Sequence, residues 1–467
     1  MNRWFAGHIL FPVVTAIRGE RMQKSLRQYE LDQWESPDRI RETQWRRIRS
    51  LLQKAYDETP FYREMFEKLS LHPEDVASFA DFQKLPTVSK ADLYSRGKDL
   101  RSRKRPWRHT LKSTAGSTSL PVTVMKTPYS MAWEHAASWL AYDWYGIRPG
   151  DRQGRFWGIA LDPKVRRKYR MIDRIRNRIR CSAFEMSDEH MADHFRRCKS
   201  FGVDWFYGYT LMLDEFAQFV QRTGLDGRSL KLKCIVGTAE QMSELQRERL
   251  SEAFGCRVVD EYGCGETGAI AYECDLGRRH IMANNVYLEI LDPNGQPVQP
   301  GQTGEIVFTE LNNTAQPLIR YRVADMGALS PDPCPCGRGL PVLAKVLGRL
   351  YDVIYAPNGN ILHGEVFGHM FKVLRTQGTS VKQYQVVQEA PYRVRFKIVE
   401  EGRPLSSEHR QYLETETRKR MGDEVRIEFE KVGEIPRLPS GKMRLIESRL
   451  ERPSPSRTPG GPSAAEG

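Results

Sequence analysis

The chain has 467 residues, 40% hydrophobic and 28% charged, so it is long for one domain and has the ordinary composition of a globular protein built from two or more compact units. Its 72 basic and 59 acidic residues leave a formal charge of +13, which points to acidic or phosphorylated partners without choosing among nucleotide, anionic glycan, nucleic acid and membrane surface. No segment reaches the apolar length that crosses a bilayer, and the eight cysteines, none before Cys181, do not fit a secreted disulfide framework, so a reducing cytoplasm is the expected compartment.

Residues 4–17 are apolar but short, carry His8 and Pro12, and lack a small-residue cleavage site. They are therefore read as part of the working chain and not as a signal peptide, resting against a membrane or the protein's own core. Ile40, Trp45, Ile48, Leu51, Leu52 and Ala55 recur at helical spacing and predict helix within residues 37–70, broken at Thr59-Pro60. Ser89, ahead of Lys90-Ala91-Asp92-Leu93, is placed to cap another helix. Next comes Ser113-Thr114-Ala115-Gly116-Ser117-Thr118-Ser119-Leu120-Pro121, small hydroxyl residues around a glycine. Such a run offers flexible N–H groups and hydroxyl donors to phosphate oxygens, and a Ser/Thr-rich surface turn has the same composition.

Residues 129–145 again show helical spacing and close in Gly146-Ile147-Arg148-Pro149-Gly150-Asp151. Over residues 164–180, Arg166, Arg167, Lys168, Arg170, Arg174, Arg176, Arg178 and Arg180 accompany Ile172, Ile175 and Ile179 on one helical stripe. A solvated amphipathic face is the plain reading, and peripheral contact with anionic lipid or an acidic polymer is the other. No zinc-finger or RNA-binding signature is present, so nucleic acid is not an expected partner.

From 231 to 310 the pattern turns α/β. The buried-strand run Cys234-Ile235-Val236 leads into Gly237-Thr238-Ala239-Glu240, a helix over 241–254, a strand over 257–260, and a hairpin of strands 287–291 and 305–308 around Asp292-Pro293-Asn294-Gly295. Residues 353–447 read as a separate small unit, with strands near 383–388, 394–399 and 425–429 and a helix over 407–421. The Pro-, Ser- and Gly-rich tail from Pro453 has a disordered composition. There is no internal repeat.

Gly263-Cys264-Gly265-Glu266-Thr267-Gly268 matches the dinucleotide fingerprint in form, with acidic Glu289 downstream. Glu266 inside the loop argues against that reading, because a carboxylate repels phosphate unless a cation stands between them. Cys334-Pro335-Cys336 together with Cys274 and His280 offers three thiolates and one imidazole. That set suits a structural Zn²⁺ with no open position, although reduced buried cysteines would look alike in sequence. Trp205, Phe206, Tyr207 and Tyr209 are candidates for the wall of a substrate pocket or for aromatic core.

Five segments occur in a telling order: the loop at Ser113, then Glu261-Tyr262-Gly263-Cys264-Gly265-Glu266-Thr267, Arg320-Tyr321-Arg322-Val323-Ala324-Asp325, Gly348-Arg349-Leu350-Tyr351-Asp352 and Pro439-Ser440-Gly441-Lys442. In that order the chain resembles the adenylate-forming, AMP-binding ligases, in the branch of the phenylacetate-CoA ligases and the CapK-like proteins of capsular polysaccharide biosynthesis, over roughly residues 45–447. The resemblance implies an α/β fold with a large multi-sheet N-terminal adenylation domain over 1–348, a small mobile α+β domain over 349–450 and a tail over 451–467.

It further implies ATP, Mg²⁺ and coenzyme A as cofactors and a small carboxylic acid as substrate. Ser113, Thr114, Gly116, Ser117 and Thr118 would hold phosphates, and Gly237, Thr238, Ala239 and Glu240 would run along the adenine edge. Tyr262 and Gly263 would meet adenine, Glu266 would ligate Mg²⁺, Asp325 would bind both ribose hydroxyls, and Arg349 would lie near the ribose at the interdomain joint. Lys442 would bring positive charge to the α-phosphate during adenylation. The sequence departs from relatives at Gly265, where Ser or Thr is usual, at Ser119, where a second Gly is usual, and at Leu120, often Lys or Thr.

Acyl transfer to an amine or hydroxyl in surface-polysaccharide assembly, and a non-catalytic membrane-associated scaffold, remain alternatives, and a homodimer stays open.

Overall fold

The computed structural model describes residues 1–104, 106–113, 122–157, 163–182, 187–349, 353–357, 361–376, 379, 381–400, 404–436 and 444–450. A short antiparallel hairpin of β1 (Thr110–Ser113) and β2 (Thr123–Lys126) stands apart from the main sheet. That sheet has eleven strands: β3 (Gln153–Trp157), β4 (Arg178–Ser182), β5 (Trp205–Tyr209), β6 (Cys234–Thr238), β7 (Arg257–Cys264), β8 (Gly268–Glu273), β9 (Arg279–Ile281), β10 (Val286–Leu291), β11 (Gly304–Glu310), β12 (Tyr321–Leu329) and β13 (Val342–Arg349). They lie in the order β10-β11-β12-β13-β9-β8-β7-β6-β5-β3-β4.

The half from β4 to β7 is parallel; helices Asp188–Phe201, Thr210–Arg222 and Glu244–Phe254, which connect its strands, pack into one core, and helix Pro128–Asp143 packs into the core on the opposite face. Cys234, Ile235 and Val236 are nearly inaccessible, which is why β6 reads as an unbroken apolar run. From β7 onward the pairing turns antiparallel, through β8 and β9 to β13 and through the hairpin of β10 with β11. The N-terminal helices Pro37–Glu58 and Pro60–Lys68 pack Ile48, Leu51, Leu52, Tyr62 and Phe66 into one core with this antiparallel half. Pro60 separates them because it removes an N–H from one helix interior yet suits the first turn of the next. Ser89 caps helix Lys90–Arg96, with Asp92 completing a capping box.

The chain divides into two compact units. One takes in Met1–Leu291 and Pro297–Val346, and the other takes in Asp292–Gln296 and Leu347–Pro436. The second unit carries the hairpin of β14 (Val353–Tyr355) and β15 (Ile361–His363). Its four-stranded sheet runs in the order β18 (Arg426–Lys431), β17 (Arg393–Glu400), β16 (Val381–Ala390), β19 (Ile446–Ser448). Helices Gly364–Thr376 and Ser407–Met421 close its core on Phe367, Phe371, Val386, Phe396 and Leu413.

One sequence expectation is corrected. The helix expected over 164–180 spans Pro163–Ile175 and stops there, because Asn177 takes a left-handed φ of 49° and the chain enters β4. Arg178 and Arg180 therefore do not lie on a solvated helical face; both pair with Asp173. On β5, alternation sends Trp205 and Tyr207 to one core and Phe206 to the other, while Tyr209, at the strand's end, packs with the core of Phe206 and lies 4.2 Å from the Trp157 ring. Among the described residues no helix is long and apolar enough to cross a membrane.

Candidate nucleotide site and Cys/His cluster

β7 and β8 form a tight hairpin whose turn is Gly265, Glu266 and Thr267. The glycines are steric requirements: a Cβ on Gly263 would lie 2.5 Å from the Gly268 carbonyl oxygen, and one on Gly268, at φ 82°, would lie 2.6 Å from the Glu134 carboxyl carbon. The fingerprint segment thus continues as a strand where a dinucleotide fold would place a helix, and the dinucleotide reading falls.

Two reciprocal hydrogen bonds tie this hairpin to β12. Tyr262 of β7 donates to Asp325 Oδ2 at 2.8 Å, and Tyr321 of β12 donates to Oε1 of buried Glu266 at 3.0 Å. Next to Glu266, the Thr267 hydroxyl is fully buried without a hydrogen-bond partner among the described residues, the kind of orphan that a ligand oxygen satisfies. Ala324, just before Asp325, and Ala239 at the end of β6 hold left-handed φ values of 63° and 69°. Non-glycine residues in that region mark strain of the type kept at functional sites. Arg322 pairs with Glu305, so an ion pair with Arg322 is not what fixes Asp325.

The segment over 237–240 ends β6 and runs toward the same place. A Cβ on Gly237 would meet the Met242 methyl at 2.2 Å and the Thr210 hydroxyl at 2.9 Å. Glu240 accepts the Leu211 N–H at 3.0 Å through Oε2. The Thr238 hydroxyl donates to Glu261 Oε1 at 3.1 Å, joined there by Tyr207 at 3.0 Å, while Tyr142 reaches Oε2 at 3.3 Å. Burial raises the Glu261 carboxyl above its ordinary pKa in spite of these donors.

Ser113 and Thr123 face each other across β1 and β2 with hydroxyl oxygens 2.9 Å apart, which pins together the two ends of the phosphate-loop candidate. Thr114, Gly116, Ser117 and Thr118 lie outside the described residues, as do Tyr351, Asp352 and Lys442; Arg349 is described only as backbone at the end of β13.

Beneath that hairpin sits an ion cluster that sequence reasoning missed. Lys112 meets Glu134 at 2.7 Å, and fully buried Lys126 pairs with Glu310 and lies 3.8 Å from Glu134. Burial opposes the Lys112 charge, yet Glu134 overcomes it and holds the ammonium above its ordinary pKa. Burial likewise opposes the Glu134 charge, and Lys112 and Lys126 outweigh it to bring that carboxyl below the usual range. The available signal was two lysines flanking the loop on strands, with no motif to name their partners.

A second site forms between β8, β9 and the turn at residues 334–337. The ligand atoms of Cys274, His280, Cys334 and Cys336 all lie within 4.8 Å of one another. Cys274 and Cys334 sulfurs are 3.8 Å apart, and Cys336 Sγ is 3.2 Å from His280 Nε2. His280 Nδ1 donates to the Leu340 carbonyl at 3.1 Å, which leaves Nε2 facing the thiols, and burial pushes the imidazole down to about 4. Zinc–sulfur bonds of about 2.3 Å in a tetrahedron give a sulfur–sulfur edge of about 3.8 Å, so the donor set fits this ion.

Residues 110–315 match the family model described as AMP-binding enzyme, and residues 354–449 match that of the CapK C-terminal domain. Phenylacetate-coenzyme A ligase of Pseudomonas putida is 27% identical over 72% of this chain and 77% of its own length. The Thermus thermophilus phenylacetate-coenzyme A ligase is 24% identical over 88% and 96%, and the Staphylococcus aureus Protein CapK is 21% identical over 94% and 97%. Among solved structures, 2-hydroxyisobutyryl-CoA ligase in the postadenylation state superimposes with a TM-score of 0.70 at 20% identity, covering 90% of this chain and 91% of that one.

Proposed function

We propose, for a chain that belongs to the adenylate-forming AMP-binding ligases in the branch of the phenylacetate-CoA ligases and CapK, that it activates a carboxylic acid with ATP and passes the acyl group to coenzyme A. A carboxylate oxygen of the acid attacks the α-phosphorus and pyrophosphate leaves with the electrons of the broken P–O bond. The coenzyme A thiol then attacks the acyl carbon, loses its proton, and AMP leaves.

The observation that carries this reading is the convergence of Tyr262, Asp325 and Glu266 through the two tyrosine–carboxylate hydrogen bonds, beside the orphaned Thr267 hydroxyl. In it, Tyr262 stacks on adenine, Asp325 accepts the ribose hydroxyls, and the segment Gly237, Thr238, Ala239 and Glu240 borders the base. Ser113, Thr114, Gly116, Ser117 and Thr118 donate to phosphates. Glu266 holds Mg²⁺, which when bound offsets triphosphate charge. Arg349 adds a ribose contact, and Lys442 stabilises charge that develops at the α-phosphate. Cys274, His280, Cys334 and Cys336 hold a structural Zn²⁺ with four protein ligands and no open position. The second reading keeps adenylation and passes the acyl group to an amine or hydroxyl in surface-polysaccharide assembly.

Pyrophosphate release with a panel of acids, aryl acids such as phenylacetate first, with and without coenzyme A, tests both steps. Acid-dependent release together with thioester formation is the expected result. Release that is unchanged in Lys442→Ala would remove that lysine from the chemistry, and no release with any acid would remove the enzyme reading.

A further inference from the structure

We propose that residues 1–21, with the corner at Trp107 and Arg108, form a docking surface for an anionic lipid bilayer, on which the protein sits without crossing it. Residues 3–17 are one continuous helical run, made of Arg3–Phe5, a π-turn over Ala6–Leu10 and Phe11–Ile17. At about 1.5 Å per residue this run is roughly 22 Å long, short of the ~30 Å hydrocarbon core.

One side of the run is fixed to the body of the protein. A Cβ on Gly7 would fall 2.0 Å from the Pro149 carbonyl oxygen, so the helix backbone lies directly on that turn. The Arg3 guanidinium grips Asp204 with bonds of 2.7 and 2.9 Å, and Phe11 meets the Trp139 ring edge-on at 5.3 Å. The other side is apolar as well and faces water. Phe5, Ile9, Val13 and Ile17 recur every four residues and are all exposed, with Trp4 at 61% and Ile17 at 69%. A helix apolar all round belongs in a core or against lipid, and this one has only half a core.

The surroundings of this stripe identify the missing partner. Arg108 donates to the Ile17 carbonyl at 2.8 Å and lies 4.3 Å over the ring of Trp107, which is 85% exposed. A large aromatic ring thus stands at the end of the stripe. His8, Arg18, Arg21 and Arg108 are exposed around it, and Arg18 lies in the electrostatic field of Arg176, next to helix Pro163–Ile175 with its exposed Arg170, Met171 and Arg174.

Aromatic and aliphatic side chains ringed by arginine are the chemistry of an anionic headgroup boundary. A second copy of the chain is the poorer occupant, because a self-complementary contact would bring two such basic surfaces together. The chain's formal charge of +13 adds to attraction for acidic lipid and to repulsion between copies.

The test is co-sedimentation of the full chain with phosphatidylcholine vesicles with and without phosphatidylserine, beside light scattering of the free protein. Binding that depends on phosphatidylserine and falls with added salt is expected, and the variant Phe5→Asp/Ile9→Asp/Val13→Asp should bind at least about tenfold more weakly. Trp107→Ala should weaken binding more modestly without touching the buried face of the helix. Pyrophosphate release should be unaffected in both variants, so docking and catalysis are read separately. Equal vesicle binding by the aspartate variant overturns the proposal, as does absence of binding by the parent chain. Light scattering that shows a dimer abolished by the same substitutions assigns the stripe to a second copy and overturns it too.

Discussion

The Tyr262 hydroxyl donates to Asp325 across 63 positions of sequence, holding the ring at the end of β7 and the carboxylate in β12 at one fixed separation. A nucleotide placed against both therefore meets groups whose spacing is set before it arrives, and this preorganisation cuts the ordering cost of binding. Asp325→Ala is expected to raise the KM for ATP about ten- to a hundredfold, the equivalent of about 1.5–3 kcal/mol for hydrogen bonds to a charged group. Tyr262→Phe keeps the ring and should change KM only a few-fold, whereas Tyr262→Ala should approach the Asp325 variant. ATP titrations of pyrophosphate release, with melting curves as the control for folding, check the series. An Asp325→Ala enzyme with the parental KM for ATP removes Asp325 from the nucleotide site.

Lys126 and Glu310 are both fully buried beside the β1/β2 hairpin, so either charge alone in that place has no water to replace its nearest counter-ion, and Lys126 would be left with Glu134 at 3.8 Å. Lys126→Met is expected to destabilise the large unit by about 3–5 kcal/mol, the usual result of stranding one member of a buried pair. Adding Glu310→Met should recover much of that loss, because the pair together pays a desolvation cost that apolar neighbours do not. Urea unfolding of the parent, both single variants and the double variant gives the coupling directly. If the losses simply add, the two charges do not depend on one another.

The site was legible wherever chemistry is written into a short motif. Tyr262, Glu266 and Asp325 stand in such motifs, and the structure brings all of them together around the β7/β8 turn. Glu134 and Glu310 were not legible, because they meet the lysines at positions 22 and 184 residues away and no local pattern announces that pairing. The false helix at residues 176–180 has a simpler cause. Arg176, Arg178 and Arg180 alternate with other residues at a period of two, and Asn177 supplies the left-handed stop; arginines on the preceding helix hid both signals. Phe206 parts from Trp205 and Tyr207 on β5 because neighbours on a strand point to opposite sides.

Glu261 gives a pH-dependent prediction. Burial raises its folded-state pKa above the ordinary value of 4.5, so the fold binds this proton more tightly than the unfolded chain does. Its contribution is then fully present below about 4.5 and is lost as pH rises through the folded value. Glu261→Gln removes the titration. The parent should therefore lose stability relative to the variant as pH climbs above 4.5. Denaturant midpoints of both proteins across the mildly acidic range measure the difference, and parallel profiles would show that Glu261 ionises without cost.

Cys274 and Cys334 hold their sulfurs at the edge length of a zinc tetrahedron and beyond disulfide-bond distance, so chelation and not oxidation is the test that matters. Purified protein is expected to carry about one zinc per chain, released by a strong chelator or by acid, because the thiolates must be deprotonated to bind. Release should lower the melting temperature, and added zinc should restore it in the parent but not in Cys274→Ser or Cys334→Ser. His280→Ala should weaken retention of the metal, since its Nε2 is the one nitrogen donor of the set. Elemental analysis of freshly prepared protein decides first. A metal-free preparation whose melting curve zinc does not move would make these four residues a reduced, buried cluster held by packing against Trp144 and Val342.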